Sequence, residues 1–256
     1  LWPFVKGFLE TPVGPVPQVK TRLERVDTLG TISVRIGCQR HGYKIAPGLY
    51  AVGDPAEDSI VLVTANYKLS FDTLRKELDG FDAWILVLDT RGINVWCAAG
   101  KELFSTEEVI RQVQTTRLKD VVRHRELLLP QLAATGVSSL KVKKGCGFKV
   151  IWGPVRAKDL KKFVGNGMKA ETYMRRVSFT MLERLAVVPV ELSLLRKPAL
   201  WALVIIFLLS GVGPAVFSFA SAWSRGTVAV WALAVGIITG AALTPVLLPW
   251  LPGRSF

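Results

Sequence analysis

The distribution of charge limits this chain more than any other feature. All 20 acidic residues and all but two of the 33 Lys and Arg residues lie before Pro198; beyond it only Arg225 and Arg254 are charged. The uncharged runs Pro198–Ser224 and Gly226–Gly253 are each longer than the ~20 apolar residues that carry a helix across a bilayer. Both are C-terminal, so neither is a signal peptide. The soluble alternative is a pair of buried core helices, but such helices rarely stay wholly uncharged beyond ~14 residues. Two spans are therefore predicted, at about 198–222 and 227–251, in a membrane domain covering 186–256. Pro214 and Pro245 are expected to kink them, as membrane helices tolerate. Trp201, Trp223 and Trp250 stand near the run ends, where an interfacial aromatic belt places such residues. A chain that begins with Leu and stops just after a second span is expected to be a piece of a longer protein.

The segment before the first span carries Lys158, Lys161, Lys162, Lys169, Arg175, Arg176, Arg184, Arg196 and Lys197, whereas the connection between the spans carries only Arg225. The positive-inside rule then puts residues 1–185 on the cytoplasmic side of a multi-pass membrane protein. The net charge of +13 is accounted for by attraction to anionic lipid headgroups. A nucleic-acid partner is not indicated, because the basic residues are not interleaved with stacking aromatics and no binding motif is present. The three cysteines, Cys38, Cys97 and Cys146, are too few and too scattered for a disulfide framework or a CxxC metal site.

Residues 1–20 hold Pro3, Pro12, Pro15 and Pro17 and are expected to run as an extended tail. Thr31–Ile36 alternates as a strand would, and Pro47-Gly48 reads as a turn. From Ser59 onward strand and helix patterns alternate. Ile60–Val63, Ala83–Leu88, Glu126–Leu129 and Phe148–Trp152 read as buried strands. Ser70–Leu78, Glu107–Val122 and Ala157–Val164 have helical spacing. This order predicts an α/β, Rossmann-like domain with a mainly parallel sheet. Ligands of such sheets bind outside the carboxyl ends of the strands. The loops there are Thr64–Tyr67, Asp89–Cys97, Pro130–Val137 and Gly153–Val155. Neither GxGxxG nor a Walker A sequence occurs, so nucleotide readings lose support.

One of these loops leads into Asn94-Val95-Trp96-Cys97-Ala98-Ala99-Gly100-Lys101. Asn94 suits an N-cap, which puts Cys97 in the first turn of a helix, where the dipole favours thiolate, the metal-ligating form. Lys101 lies one turn on and adds positive potential. Ala98, Ala99 and Gly100 are expected to leave the helix surface bare beside the sulfur, with Trp96 as a rigid wall. Two readings stay open on these grounds: an axial ligand to a macrocyclic metal cofactor, or a buried structural cysteine.

The eight-residue string Asn94–Lys101 resembles the cap-helix motif of the mercury-methylating corrinoid proteins (the HgcA family). Thr64-Ala65-Asn66-Tyr67-Lys68-Leu69-Ser70-Phe71-Asp72 and Gly147-Phe148-Lys149-Val150-Ile151-Trp152-Gly153-Pro154-Val155-Arg156-Ala157 are similar to segments shared by that family and the corrinoid domain of the corrinoid/iron–sulfur protein of the acetyl-CoA pathway. The likeness runs from about Val19 into the first membrane span. It implies a Rossmann-like domain holding cobalamin or a related corrinoid, with Cys97 as the axial cobalt ligand opposite the methyl group. It further implies methyl transfer to Hg(II), giving methylmercury. A small ferredoxin-like iron–sulfur protein (HgcB type) would return cobalt to Co(I), and the methyl group would come from a donor protein or a methyl-folate route. The family's membrane domains have more than two spans.

On the same resemblance Thr64, Ala65, Asn66, Asn94, Val95, Trp96, Ala98, Ala99, Gly100 and Lys101 are candidate cofactor contacts. Gly136, Val137, Gly153 and Pro154 are candidates for lining the cofactor or its nucleotide tail. Cys146, between Gly145 and Gly147, reads as an exposed loop cysteine and is a candidate for handling mercury. Cys38 is expected to pack in a strand or turn, and His41 and His124 receive no role. Two other functions compete. One is a corrinoid methyl carrier of the acetyl-CoA-pathway type, a class that carries a four-cysteine cluster motif and no membrane spans. The other is a non-enzymatic membrane protein that binds corrin.

Overall fold

A computed structural model describes residues 2–38, 42–214 and 216–251; His41 and Arg254 lie outside them. Two compact units emerge, one of residues 1–31 and 41–177 and one of residues 32–40 and 178–256. The C-terminal part of the second starts at Ser178, whereas the sequence predicts a membrane domain from 186.

The first unit opens with a hairpin, β1 (Val5–Thr11) and β2 (Gly14–Val19). Residues 1–20 are thus extended, as their prolines require, but they are not a tail: β2 joins a seven-stranded sheet. Pro15 and Pro17 are tolerated because β3 (Gly48–Val52) reaches β2 only at Gln18 and Val19. Beyond that point one side of β2 is unpaired, and a missing N–H there costs nothing. Gly14, with φ of 105°, makes the tight return that the hairpin needs.

Helix α1 (Arg25–Arg35) replaces the strand expected at Thr31–Ile36. Val34 and Asp27 are buried seven residues apart, and Gly30 between them admits the Tyr43 ring. Burial therefore follows two turns of helix rather than every second residue. Asp27 is held by α2 (Lys68–Arg75). Lys68 Nζ meets Asp27 Oδ1 at 2.6 Å and Asp72 Oδ2 at 2.5 Å. Arg75, fully buried, meets Asp27 Oδ2 at 2.7 Å and Asp72 Oδ1 at 2.8 Å, and donates to Lys20 O at 2.5 Å. Lys68 and Arg75 also lie 5.3 and 5.5 Å from the centroid of the Phe4 ring. Buried charges survive because each is paired and bonded, and this set ties α2 to α1 and to the end of the hairpin.

The rest of the unit alternates as the sequence predicts, apart from a helix over Ser139–Cys146 that was not expected. β4 (Val61–Ala65), β5 (Ala83–Leu88), α3 (Val95–Gly100), α4 (Thr106–Thr115), β6 (Glu126–Leu129), α5 (Ser139–Cys146), β7 (Lys149–Trp152) and α6 (Leu160–Gly165) follow in order. The strand order is β1-β2-β3-β5-β4-β6-β7, with β5, β4, β6 and β7 mutually parallel. β3, unforeseen in the sequence beyond its Pro47-Gly48 start, runs antiparallel to β5. The sheet is mainly parallel and buried on both faces. Val61, Val63, Trp84, Leu86 and Leu88 pack with α3, α4 and α5, while Leu62, Ala83, Ile85 and Val87 pack with α2 and α6. This two-sided burial explains the unbroken apolar runs in β4 and β5.

The second unit contains α7 (Met181–Leu185), α8 (Val188–Gly211) and α9 (Phe219–Ile238), then a π-helical turn at Thr239–Leu243 and α10 (Thr244–Leu247). Two helical stretches, Met181–Gly211 and Phe219–Trp250, are long and apolar enough to cross a membrane. They are displaced from the predicted spans. Val212-Gly213 pairs with Val216-Phe217 in a tight reversal, so Pro214 sits in the turn and not within a helix. Arg225 is inside α9, with its guanidinium close to Gly213. The π-helical turn stands just before Pro245, which lies in the first turn of α10. Trp201, Leu209, Trp223, Val228 and Trp231 all point outward. The pattern is the reverse of a soluble core helix.

Candidate functional site

The site grows from the carboxyl ends of the central strands. The chain leaves β4 to pair β5 on one side and later returns as β6 on the other. This is a topological switch point, where open α/β sheets leave a crevice. A cleft of about 450 Å³ lies there, bordered by Thr64, Tyr67, Asn94, Trp96, Pro130 and Pro154. A wider and more open hollow of about 990 Å³, between residues 19–26 and 78–82, lies at the opposite ends of the strands, away from Cys97.

Helix α3 forms one wall of the crevice. Asn94 is its N-cap, with extended backbone (φ −63°, ψ 161°), and its Oδ1 accepts the Cys97 N–H at 2.9 Å. The Asn94 Nδ2 donates toward Cys97 Sγ at 3.5 Å. Cys97 is exposed, as are Trp96 (51 %), Gly100 and Lys101. The buried-cysteine reading is therefore set aside for Cys97. Ala98 and Ala99 correct the expectation of a bare surface: both are buried in the core. A helix of small residues needs one anchored side, and these two methyl groups provide it. The open flank beside the sulfur is Gly100, where an added Cβ would meet nothing.

The loop before α3 is set by Asn66. This residue directly follows β4, is 1 % exposed, and is bonded through both its oxygen and its nitrogen. Its Oδ1 accepts from Thr90 N at 3.1 Å and Gly92 N at 2.9 Å, and its Nδ2 donates to Asp89 Oδ1 at 3.0 Å. Thr90 Oγ1 donates to Ile93 O at 2.7 Å. Arg91 and Gly92 turn the chain at φ 56° and 74°. The Asn66 oxygen is thus committed to the loop, while Nδ2 has one of its two N–H groups bonded to Asp89.

Of the other candidates, Thr64, Val95, Gly153 and Pro154 line the cleft with Asn94 and Trp96. Ala65 is packed in the core. Gly136 and Val137 do not reach this cleft. A Cβ at Gly136 would strike the Phe104 and Ala99 carbonyls, so this glycine lets the loop after β6 press on the end of α3. Val137 is core. Tyr67, Pro130 and Val155, which lie in the expected strand-end loops without being named as contacts, line the cleft, as do Ser70 and Thr73. Ser70 and Thr73 share a face of the predicted helix, and Pro130 directly follows a predicted strand, so a signal existed for all three. Asp89 and Thr90 lie in the expected Asp89–Cys97 loop, but their individual roles were not foreseen. Their signal was the turn composition of Asp89-Thr90-Arg91-Gly92 between strand and helix.

Cys146 is not a loop residue. It ends α5, is buried, and donates to Val142 O at 3.2 Å. Burial pushes its thiol up from the ordinary range, so the mercury-handling role loses its basis. Cys38 is exposed in the turn after α1. Among the described residues no three His, Cys, Asp or Glu side chains gather as a metal-ligand set. Cys97 can offer one donor to a metal whose other ligands come from elsewhere.

Comparison with known proteins places this geometry. The gamma subunit of the acetyl-CoA decarbonylase/synthase complex from Methanopyrus kandleri is 34% identical over 127 residues, 49% of this chain and 27% of that subunit. Its counterpart from Archaeoglobus fulgidus is 32% identical over 120 residues, 46% of this chain and 25% of the relative. The one from Methanocaldococcus jannaschii is 36% identical over 105 residues, 40% and 21%. The chain spans about a quarter of the length of these relatives. The family described as CO dehydrogenase/acetyl-CoA synthase delta subunit matches residues 36–164, the β3–α6 body with the crevice and α3, and the chain belongs to that family.

Proposed function

We propose that this chain is a membrane-anchored corrinoid protein that passes a methyl group from cobalt to Hg(II), with the Cys97 thiolate as the axial cobalt ligand. The observation that carries the reading is the exposed Cys97 sulfur on a capped helix whose neighbouring residues Asn94, Val95 and Trp96 line the switch-point crevice. The residues fit a corrinoid. One protein donor is available, no side chain covers it, Gly100 leaves its flank open, and an apolar cleft with polar Thr64 and Asn94 adjoins it. When bound, the corrinoid supplies the cobalt centre that carries and releases the methyl group. Cys97 loses its proton on ligating, as metal-bound thiols do. As a strong donor, its thiolate would favour release of the methyl group. Asn94 holds the sulfur in place through the Cys97 N–H and its own Nδ2. Trp96, Thr64, Gly153 and Pro154 would bear on the macrocycle or its substituents. Hg(II), a soft ion, would be the substrate that takes the methyl group as a carbanion equivalent, giving methylmercury. A ferredoxin-like iron–sulfur protein is the proposed reductant.

Mercury as acceptor is supported by the Asn94–Lys101 string and by the apolar helices beyond residue 164, outside the family match. A second reading has its own support. The relatives named above are subunits of an acetyl-CoA decarbonylase/synthase complex, and they lie closer to a corrinoid methyl carrier that delivers its methyl to another protein. The membrane placement rests on the outward-facing apolar side chains of α8 and α9. One experiment separates the readings. The full chain is loaded with isotopically labelled methylcorrinoid and offered Hg(II) or a protein acceptor from such a complex. Label recovered as methylmercury, and lost in Cys97→Ala, upholds the proposal. Label that goes only to the protein acceptor upholds the second reading, and methylmercury formed undiminished by Cys97→Ala overturns the role of the thiolate.

A further inference from the structure

We infer that Asn66 is a positioning residue for Cys97: its buried side-chain amide, at the end of β4, locks the Asp89–Ile93 loop from which α3 projects the sulfur. The inference rests on the proposed role of Cys97 as cobalt ligand. It is carried by hydrogen bonds that leave the amide one orientation only. Two backbone N–H groups, of Thr90 and Gly92, converge on one side of Asn66, so an oxygen must face them. The Asp89 carboxylate lies 3.0 Å away on the other side, so a donor must face it. Thr90 Oγ1 lies 2.7 Å from Ile93 O and 3.0 Å from Asn66 Oδ1, so this hydroxyl links the Asn66 amide to the last residue before the N-cap. Asp89 is fixed in turn. Its Oδ1 also accepts the Arg91 N–H at 3.0 Å, and its own N–H donates to Glu108 Oε1 at 2.8 Å. Glu108, on α4, is forked by Arg111 at 2.6 and 2.7 Å.

The loop residues Arg91 and Gly92 both have positive φ, a conformation that the chain does not hold unaided at a non-glycine residue. Asn66 supplies the compensation at this point. Asn94 then continues the same path and receives the Cys97 N–H. A loop freed from Asn66 would still leave β5 and α4 in place, because their packing lies on the sheet. It would no longer fix where the sulfur stands. A ligand displaced by about 1 Å no longer satisfies a metal, since site geometry must be held within ~0.5 Å.

The test uses Asn66→Asp in the full chain. The change keeps the oxygen that accepts from Thr90 and Gly92 but sets a second carboxylate oxygen against Asp89 Oδ1. Two carboxylates at that distance repel. Hydrogen exchange is measured on the corrinoid-free protein, and the visible and Co(II) paramagnetic resonance spectra on the loaded one, with Cys97→Ala as the reference for lost sulfur ligation. The expected result is faster exchange confined to residues 89–98, unchanged corrinoid stoichiometry, and spectra moved toward those of Cys97→Ala. Spectra like wild type, or exchange unchanged over that segment, overturn the inference. If wild type and Cys97→Ala already share one spectrum, the ligand reading has failed, and exchange alone decides whether Asn66 orders the loop. Should Asn66→Asp fail to fold, Thr90→Val takes its place. It keeps the backbone N–H to Asn66 and the side-chain volume but removes the hydroxyl that reaches both Ile93 O and Asn66 Oδ1. A smaller shift in the same direction is then expected, and no shift overturns the inference.

Discussion

Asn94 grips Cys97 at two points, accepting the backbone N–H with Oδ1 at 2.9 Å and directing Nδ2 at the sulfur from 3.5 Å. The first contact is ordinary capping; the second reaches the reactive atom. Asn94→Asp separates them. A carboxylate caps as well as an amide, so stability should hold to within a few tenths of a kcal/mol. The donor to sulfur is replaced by a negative charge, which disfavours thiolate. The expected outcome is an unchanged thermal midpoint with a slower alkylation of Cys97. Asn94→Ala should instead lower stability by ~1 kcal/mol through loss of the cap. Thiol alkylation rates and melting curves on the same preparations check both.

Gly136 meets the Ala99 and Phe104 carbonyls where a Cβ would stand. Backbone atoms on both sides cannot yield as a flexible side-chain tip would. Gly136→Ala is expected to push the loop after β6 away from α3 and destabilise the unit by ~1–3 kcal/mol, the range for overpacking. Gly100→Ala, with open space at its Cβ, should leave the melting midpoint nearly untouched. Its effect should appear only as weaker corrinoid binding, measured by titration. Equal destabilisation by the two changes would contradict this account.

How far these elements were legible depended on which force shaped them. β5 and β6 were read to the residue because a strand buried on both faces has to be apolar throughout. The N-cap at Asn94 was read for an equally local reason. α1 was misread because its inner face is held by Asp27, whose partners Lys68 and Arg75 are more than forty residues away in sequence. Cys146 was misread from its glycines. Gly147 is the left-handed C-cap of α5 at φ 79°, and Gly145 gives room to Ile110. Both are helix-end devices that a loop also uses. The first predicted span overran its helix, since the reversal at residues 212–217 is built from residues as apolar as the spans themselves.

Removing Lys68 from the buried charge set should expose the balance among Asp27, Asp72 and Arg75. Lys68→Met keeps the length and much of the volume of the side chain but leaves two carboxylates to one guanidinium. Breaking a buried pair on one side costs ~3–5 kcal/mol, and a loss of that order is expected in denaturant unfolding of the first unit. A change under ~1 kcal/mol would mean that the lysine is dispensable.

The same cluster predicts how stability varies with pH. Burial pushes the Asp27 carboxyl up, but hydrogen bonds from Lys68, the Glu24 N–H and Arg75 outweigh it and hold the group below the ordinary carboxylate range. Its contribution is present above the unfolded value of ~3.9 and fades as pH falls through the lower folded value. Burial lowers Lys68, yet Asp27 and Asp72 more than reverse this and raise it. Its contribution is present below the unfolded value of ~10.4 and fades as pH rises through the higher folded value. Melting midpoints should therefore be insensitive to this cluster near neutrality and lose its support at both extremes. In Lys68→Met the alkaline loss arising from this lysine should vanish.

The uncharged part of α8 runs only from Pro198 to Gly211, about 21 Å at ~1.5 Å per residue. That is short of the ~30 Å hydrocarbon core. If the helix crosses, Arg196 and Lys197 sit at the near boundary with their aliphatic stems in the acyl region and their charges in the headgroups. Arg225, close to the reversal, serves the same purpose on the far side. The position that tests this is Ile205, midway along the uncharged part and 52 % exposed. On a soluble surface Ile205→Arg would be neutral to within ~0.5 kcal/mol. At the middle of a span it adds ~2.5–3.5 kcal/mol to insertion. The expected outcome is that wild type stays in the membrane pellet after alkaline washing while much of Ile205→Arg is released or degraded. Arginine at Leu182, 78 % exposed and ahead of the charged pair, should have no such effect. Retention of both variants alike would place α8 outside the bilayer.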